Sequence, residues 1–183
     1  MKLTTRDLTM VGLFAALHIA AAVSLRLGGE AAVPFSLVPF FVVLAGLLLR
    51  RQGALSLLVY TLLGVLGVPV FAKPPFAGLS YVLQPSFGFV IGYILAAYVI
   101  GALVEWRRWR SPFQLFLASL AGLMVLYAVG LPYLYIVLRY LLDKTLSLPQ
   151  LLVVGMLPFV GFDLLKAGLA SCLAATVLRR LQR

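Results

Sequence analysis

The chain has 183 residues, of which 63% are hydrophobic and only 11% charged, with a formal net charge of +10 at neutral pH. A water-soluble domain runs nearer ~45–50% apolar and ~25% charged, so the composition excludes a soluble globular enzyme and points to a lipid bilayer. The basic residues fall between apolar blocks and make no stripe on one face, which argues against nucleic acid and for membrane topology. Cys172 is the single cysteine; it excludes an internal disulfide, and no cysteine or histidine pairs stand at zinc spacing, so neither metal nor cofactor is expected.

A membrane-crossing helix needs ~20 mostly apolar residues. In chain order, such segments run from about Leu8 to Leu25, Val33 to Leu49, Ala54 to Val70, Phe87 to Val104, Phe113 to Leu142 and Leu151 to Leu178. The sequence therefore predicts an all-α integral membrane protein, a single domain over 1–183 with six transmembrane helices. The opening Met1-Lys-Leu-Thr-Thr-Arg6 resembles the start of a secretory signal. No convincing cleavage site follows it and further spans do, so the first apolar run is taken as helix one.

The breaks between segments carry recognisable signals. Arg50-Arg51-Gln52-Gly53 is a tight polar turn, and Glu105 to Pro112 is a basic loop with interfacial Trp106 and Trp109. Between helices three and four, Pro69, Pro74, Pro75, Gly78 and Pro85 forbid an ordinary helix, yet the stretch is too apolar for a solvent loop. Irregular backbone at membrane depth is tolerated where it is buried in protein or lines a cavity, so this loop is expected to cover a pocket.

Six spans put Lys2, Arg6, Arg50, Arg51, Arg107, Arg108, Arg110, Arg179, Arg180 and Arg183 on one side, and Arg26, Lys73, Arg139 and Lys144 on the other. The positive-inside rule then makes both termini cytoplasmic. No Gly-rich phosphate loop with lysine appears, so the chain is not expected to hydrolyse ATP by itself.

Asp163 and Lys166 stand three residues apart in the last segment, on one helix face, where they can pair. Lys166 lies 13 residues before Arg179, or ~20 Å along a helix axis, which places the pair in the outward half of the bilayer. Ionisable residues at such depth normally face a cavity and serve function; the alternative is a self-neutralising lock between helices. In helix one, Gly12, Ala16, Ala20 and Ser24 recur every four residues, a stripe that lets another helix approach closely. Packing inside the bundle is the commoner use of such a stripe. His18 reads as a hydrogen-bonded packing residue and Arg26 with Glu30 as a solvated interfacial pair. Lys73 either snorkels to the outer surface or meets an anionic ligand at the pocket mouth. Among Tyr127, Tyr133 and Tyr135, Tyr127 lies deepest and is the best candidate for a pocket wall.

Three stretches, Val33-Pro-Phe-Ser-Leu-Val38 with Leu44-Ala-Gly-Leu47, Gly64-Val-Leu-Gly-Val-Pro-Val-Phe71 and Leu157-Pro-Phe-Val-Gly-Phe-Asp-Leu-Leu-Lys166, together resemble the biotin-specific S components (BioY) of energy-coupling factor (ECF) transporters. Tyr60, Gly88, Gly92, Tyr127 and Gly130 agree at the family's spacing. The resemblance implies a prokaryotic plasma-membrane subunit without catalysis. It would bind biotin or a related vitamin from outside and associate with a T subunit and two ATPases. It implies that Gly12, Ala16 and Ala20 dock on the T subunit and that the loop between helices three and four is a ligand lid. On this reading Asp163 accepts hydrogen bonds from ligand N–H groups, and Lys166 orients it or contacts a ligand oxygen. Ser36, Tyr81, Gln84, Ser86 and Tyr127 add polar contacts, while Phe71, Phe87 and Phe89 wall the apolar part.

Two departures from the family pattern bear on the ligand. A glutamine usual in the family is here Val38, and the family's Gly-Pro-Thr-Gly-Gly-Tyr is here Gln84-Pro-Ser-Phe-Gly-Phe89. Either Gln84 replaces the lost amide in space, or the pocket suits a less hydrogen-bonding carboxylate such as lipoate. Two other classes compete: an intramembrane enzyme, which lacks a second deep carboxylate or a nucleophile–base set, and a purely structural membrane subunit.

Overall fold

The structure is a computed structural model that describes residues 3–27 and 36–180. The described residues form seven α-helices and no strand: α1 (Thr5–Leu27), α2 (Val38–Leu49), α3 (Gly53–Val65), α4 (Phe87–Arg107), α5 (Pro112–Tyr140), α6 (Leu148–Gly155) and α7 (Leu157–Arg180). They follow the six apolar segments, with the sixth divided. Met156, at φ −132° and ψ −54°, interrupts the helical backbone, and Pro158 is accommodated in the first turn of α7, where it forfeits no intrahelical bond. Segment three ends at Val65 and not Val70, because Gly67 adopts φ +108° and Pro69 follows. The part of segment two before Ser36 lies outside the described residues.

Local chemistry sets the helix starts. Thr4 and Asp7 cap α1 reciprocally, the Asp7 amide donating to Thr4 Oγ1 at 3.2 Å and the Thr4 amide to Asp7 Oδ2 at 2.9 Å. Ser111 and Gln114 form a capping box before α5, with Pro112 at the first helical position, and Ser147 with Gln150 does the same for α6.

Between α2 and α3 the chain reverses. Arg50 takes φ +59° in a 3-10 turn over Arg50–Gln52, and a Cβ built on Gly53 would lie 2.6 Å from the Ala45 carbonyl. Eight residues along a continuous helix are ~12 Å apart, so these are two antiparallel helices. The same turn packs on α4: a Cβ on Gly101 would meet the Arg50 carbonyl carbon at 2.2 Å, and Arg51 pairs with Glu105 at 2.8 Å. At this end Leu47, Leu48, Leu49, Leu103, Trp109, Leu115 and Leu178 share one apolar cluster. The α2–α3 turn, the α4–α5 loop and the end of α7, with their arginines, therefore lie together.

α1 buries Val11, Phe14, Ala15, His18, Ala21 and Ala22, one stripe at helical spacing. Gly12, Ala16, Ala20 and Ser24 are exposed on another face, and a Cβ on Gly12 would have no atom within 4 Å. Close packing inside the bundle comes from other helices, among them α7, where Ala167, Ala170, Ser171, Ala174 and Ala175 are almost fully buried. Ser171 and Ser119 of α5 meet there at 3.2 Å. His18 packs between Phe14 and Tyr60 with its Nε2 3.3 Å from Ser56 Oγ, the packing role expected of it.

Candidate functional site

At the end opposite the arginine cluster, α7 carries Asp163 inward from its second turn. The Asp163 carboxylate accepts from Lys166 Nζ at 3.1 Å through Oδ1 and from the Tyr127 hydroxyl at 2.8 Å through Oδ2. Asp163 is 5% exposed and Lys166 9%. Two donors on one carboxylate, a cation from its own helix and a phenol from α5, fix its orientation. Both residues face a cavity of about 270 Å³, just below the ~300–1,000 Å³ usual for small-molecule sites.

The cavity wall is mostly aromatic and aliphatic, with a few polar groups. Tyr60 of α3, Tyr93 of α4, Tyr127 of α5 and Tyr81 of the α3–α4 loop surround it, with Phe89, Val90, Leu126 and Leu134 between them. Val38, Pro39 and Ser36 close it from the start of α2, and Val154, Gly155 and Phe159 from the α6–α7 junction. The α6–α7 break thus does structural service: it bends the chain so that Phe159 and Asp163 reach the same space. Tyr60 and Tyr93 hydroxyls have no hydrogen-bond partner among the described residues, which leaves them available to a cavity occupant.

The α3–α4 loop covers this space as the sequence predicts. Phe71 is fully buried, seated over Gly64, where any Cβ would lie 2.2 Å from the Phe71 ring. It stacks on Tyr81 with centroids 3.9 Å apart and planes 14° from parallel. Phe87 supports the pair edge-on at 6.4 Å from Phe71 and 6.3 Å from Tyr81. A 3-10 turn over Leu79–Leu83 presents Tyr81 to the cavity, and burial pushes its phenol pKa up. Tyr133 of α5 donates its hydroxyl to the Val82 carbonyl, anchoring the loop from the far side.

Of the residues singled out from sequence, Asp163, Lys166, Ser36, Ser86, Tyr81, Tyr127 and Phe89 line the cavity, and Lys73 stands at its edge. Three do not. Phe71 and Phe87 lie behind Tyr81 as its packing support, because the stacked ring of Tyr81 takes the cavity-facing position. Gln84 is absent from the wall; its backbone N–H donates to the Tyr81 carbonyl and its backbone carbonyl accepts from the Phe87 N–H, at 3.0 Å each, in the turn into α4. Val38 is in the wall. Arg26 bonds the α3–α4 loop; its expected pairing with Glu30 lies outside the described residues. Sequence reasoning missed Tyr93 and used Tyr60 only as a family marker. Tyrosines in apolar helices look like core, and only the convergence of four of them on one space sets them apart.

The fold defines a multi-span helical membrane protein with a cavity inside its bundle. The BioY family model matches residues 1–183. A probable biotin transporter BioY of Lysinibacillus sphaericus is 40% identical over 98% of this chain and 90% of its own length. A biotin transporter BioY of Thermotoga maritima is 40% identical over 92% of this chain and 94% of its own. A crystal structure of the S-component for biotin from an ECF-type ABC transporter superposes with a TM-score of 0.76, covering 97% of this chain and 95% of that one at 18% identity; at that identity it speaks for the fold. The chain belongs to the BioY family, the one its three motifs resemble, and its relatives are transporters and not enzymes.

Proposed function

We propose that the protein is the substrate-capturing S component of a biotin uptake transporter and that biotin occupies the cavity beside Asp163. The observation that carries this reading is the buried Asp163 carboxylate, held by Lys166 and Tyr127 in the wall of an aromatic cavity. Biotin presents a ureido ring with two N–H donors and a carbonyl, joined to a valerate tail. The carboxylate accepts a ureido N–H, Lys166 orients it or meets the ureido oxygen, and the Tyr60 and Tyr93 hydroxyls serve the remaining polar atoms. Ser36, Ser86, Tyr81 and Tyr127 complete the polar wall, Phe89 and Leu126 pack the ring, and Lys73 at the cavity edge suits the tail carboxylate. The α3–α4 loop acts as the lid.

The exposed stripe Gly12, Ala16 and Ala20 is the surface for the ECF T subunit, which works with two ATPases. The stripe is unused by the bundle, and bare glycine and alanine permit a backbone approach that larger residues forbid. The arginine cluster at the other end faces the cytoplasm, with both termini, so the cavity opens outward. The whole chain then acts as one binding domain in the plasma membrane.

One observation favours a second reading. Val38 in the wall offers no hydrogen bond, which suits a less hydrogen-bonding carboxylate such as lipoate. Calorimetric titration of the purified protein with each compound decides. Tight biotin binding and weak lipoate binding support the reading; lipoate binding with no detectable biotin overturns the substrate and leaves the transporter class.

A further inference from the structure

Irregular loops at membrane depth must satisfy their own backbone groups, and the lid over the cavity leaves two carbonyls for a side chain to answer. Within the lid, the Phe71 amide donates to the Phe76 carbonyl at 2.9 Å, the Phe76 amide to Lys73 at 2.8 Å and the Gly78 amide to Gly64 at 2.7 Å. The Pro69 and Phe71 carbonyls accept no backbone bond among the described residues. Arg26, in the last turn of α1, reaches both. Its Nε and Nη2 donate to the Phe71 carbonyl at 3.2 and 2.9 Å, and Nη2 also donates to the Pro69 carbonyl. The guanidinium lies over the Phe76 ring, 4.5 Å from its centroid.

We propose that Arg26 is the clasp of the lid: it holds the segment 69–76 shut over the cavity and so sets the rate at which bound substrate escapes. This rests on the binding reading above. The segment it grips carries Ala72 and Lys73 of the cavity wall on one side and the Phe71 ring that backs Tyr81 on the other. Opening the lid therefore requires these carbonyls to leave Arg26. The planar fork is what the geometry uses, since two carbonyls and an aromatic face are met by one side chain; a lysine ammonium is a point donor without that shape. The role is positioning, because Arg26 is absent from the cavity wall and acts through the loop.

The test uses the full chain in detergent, unsubstituted and as Arg26→Lys and Arg26→Gln, with monodispersity and thermal unfolding as folding controls. Arg26→Lys keeps the charge, which protects insertion. Amide exchange by mass spectrometry on the substrate-free protein reads the lid directly, and release of labelled biotin into excess unlabelled biotin reads retention. The expected result is at least tenfold faster exchange in 70–78 for Arg26→Gln, with α4 and α5 unchanged, and at least tenfold faster release. Arg26→Lys should fall between. Unchanged exchange in 70–78 would overturn the clasp. Faster exchange with release within twofold of the unsubstituted protein would overturn its role in retention. If the unsubstituted protein bound no biotin, the binding reading and the retention role would fall together, and the exchange arm would still decide the clasp.

Discussion

Replacing Asp163 by asparagine keeps the side-chain shape and an acceptor for Tyr127 while removing the charge that faces Lys166. At the observed 3.1 Å, the attraction between two unit charges is about 5 kcal/mol at an effective dielectric of ~20. Part of it is offset by the desolvation of both groups. Removing one partner of a buried, hydrogen-bonded charge pair at a binding site costs about 2–5 kcal/mol. At ~1.4 kcal/mol per decade that is roughly 30-fold to several thousandfold in Kd. Lys166 lines the cavity, so an occupant adds to its burial: without substrate the loss of folding stability is expected to be smaller, about 1–3 kcal/mol, and the larger penalty falls on binding. Isothermal titration with biotin in detergent, beside thermal unfolding of the substrate-free protein, measures both. A folded Asp163→Asn protein whose Kd stays within threefold of the original would show that the carboxylate does not contact the substrate.

Tyr93→Phe removes a hydroxyl with no partner in the described structure and should weaken biotin binding about tenfold, as one lost hydrogen bond to substrate would, with unfolding temperature unchanged; titration and thermal unfolding check it. Gln84→Leu should leave biotin affinity within about twofold, since Gln84 is off the cavity wall, and a tenfold loss by titration would return it to the site. Ala16→Leu or Ala20→Leu should abolish co-purification with a T subunit while leaving biotin affinity unchanged, because the added atoms point away from the bundle. Gly101→Ala should destabilise the protein by about 1–3 kcal/mol or more, since its Cβ would lie 2.2 Å from the Arg50 backbone. Thermal unfolding should register that loss.

How much of this was legible beforehand depended on the kind of signal each residue sends. Asp163 and Lys166 were legible because charge within an apolar segment is costly and seldom accidental. That the α3–α4 loop covers a cavity was legible because four prolines and a glycine in an apolar stretch leave few alternatives. Which lid residues face the cavity was not: a 3-10 turn over Leu79–Leu83 and the stacking of Phe71 on Tyr81 decide that, so Tyr81 lines the wall while Phe71, Gln84 and Phe87 do not. The small-residue stripe of α1 was visible as a pattern, yet its direction was not, because the sequence carries a second set of small residues on α7. Only the assembled bundle distinguishes the set that packs inward from the set left exposed. Arg26 looked like an interfacial charge because its partners are backbone carbonyls 43 and 45 residues away, a relation that no residue type announces.

Whether the cavity beside Asp163 holds biotin can be read from the small molecule that mass spectrometry finds released from protein purified out of biotin-replete cells. The expected result is biotin at about one molecule per chain, falling well below that for Asp163→Asn prepared in parallel. A different compound at that stoichiometry, or equal biotin on both proteins, would contradict it.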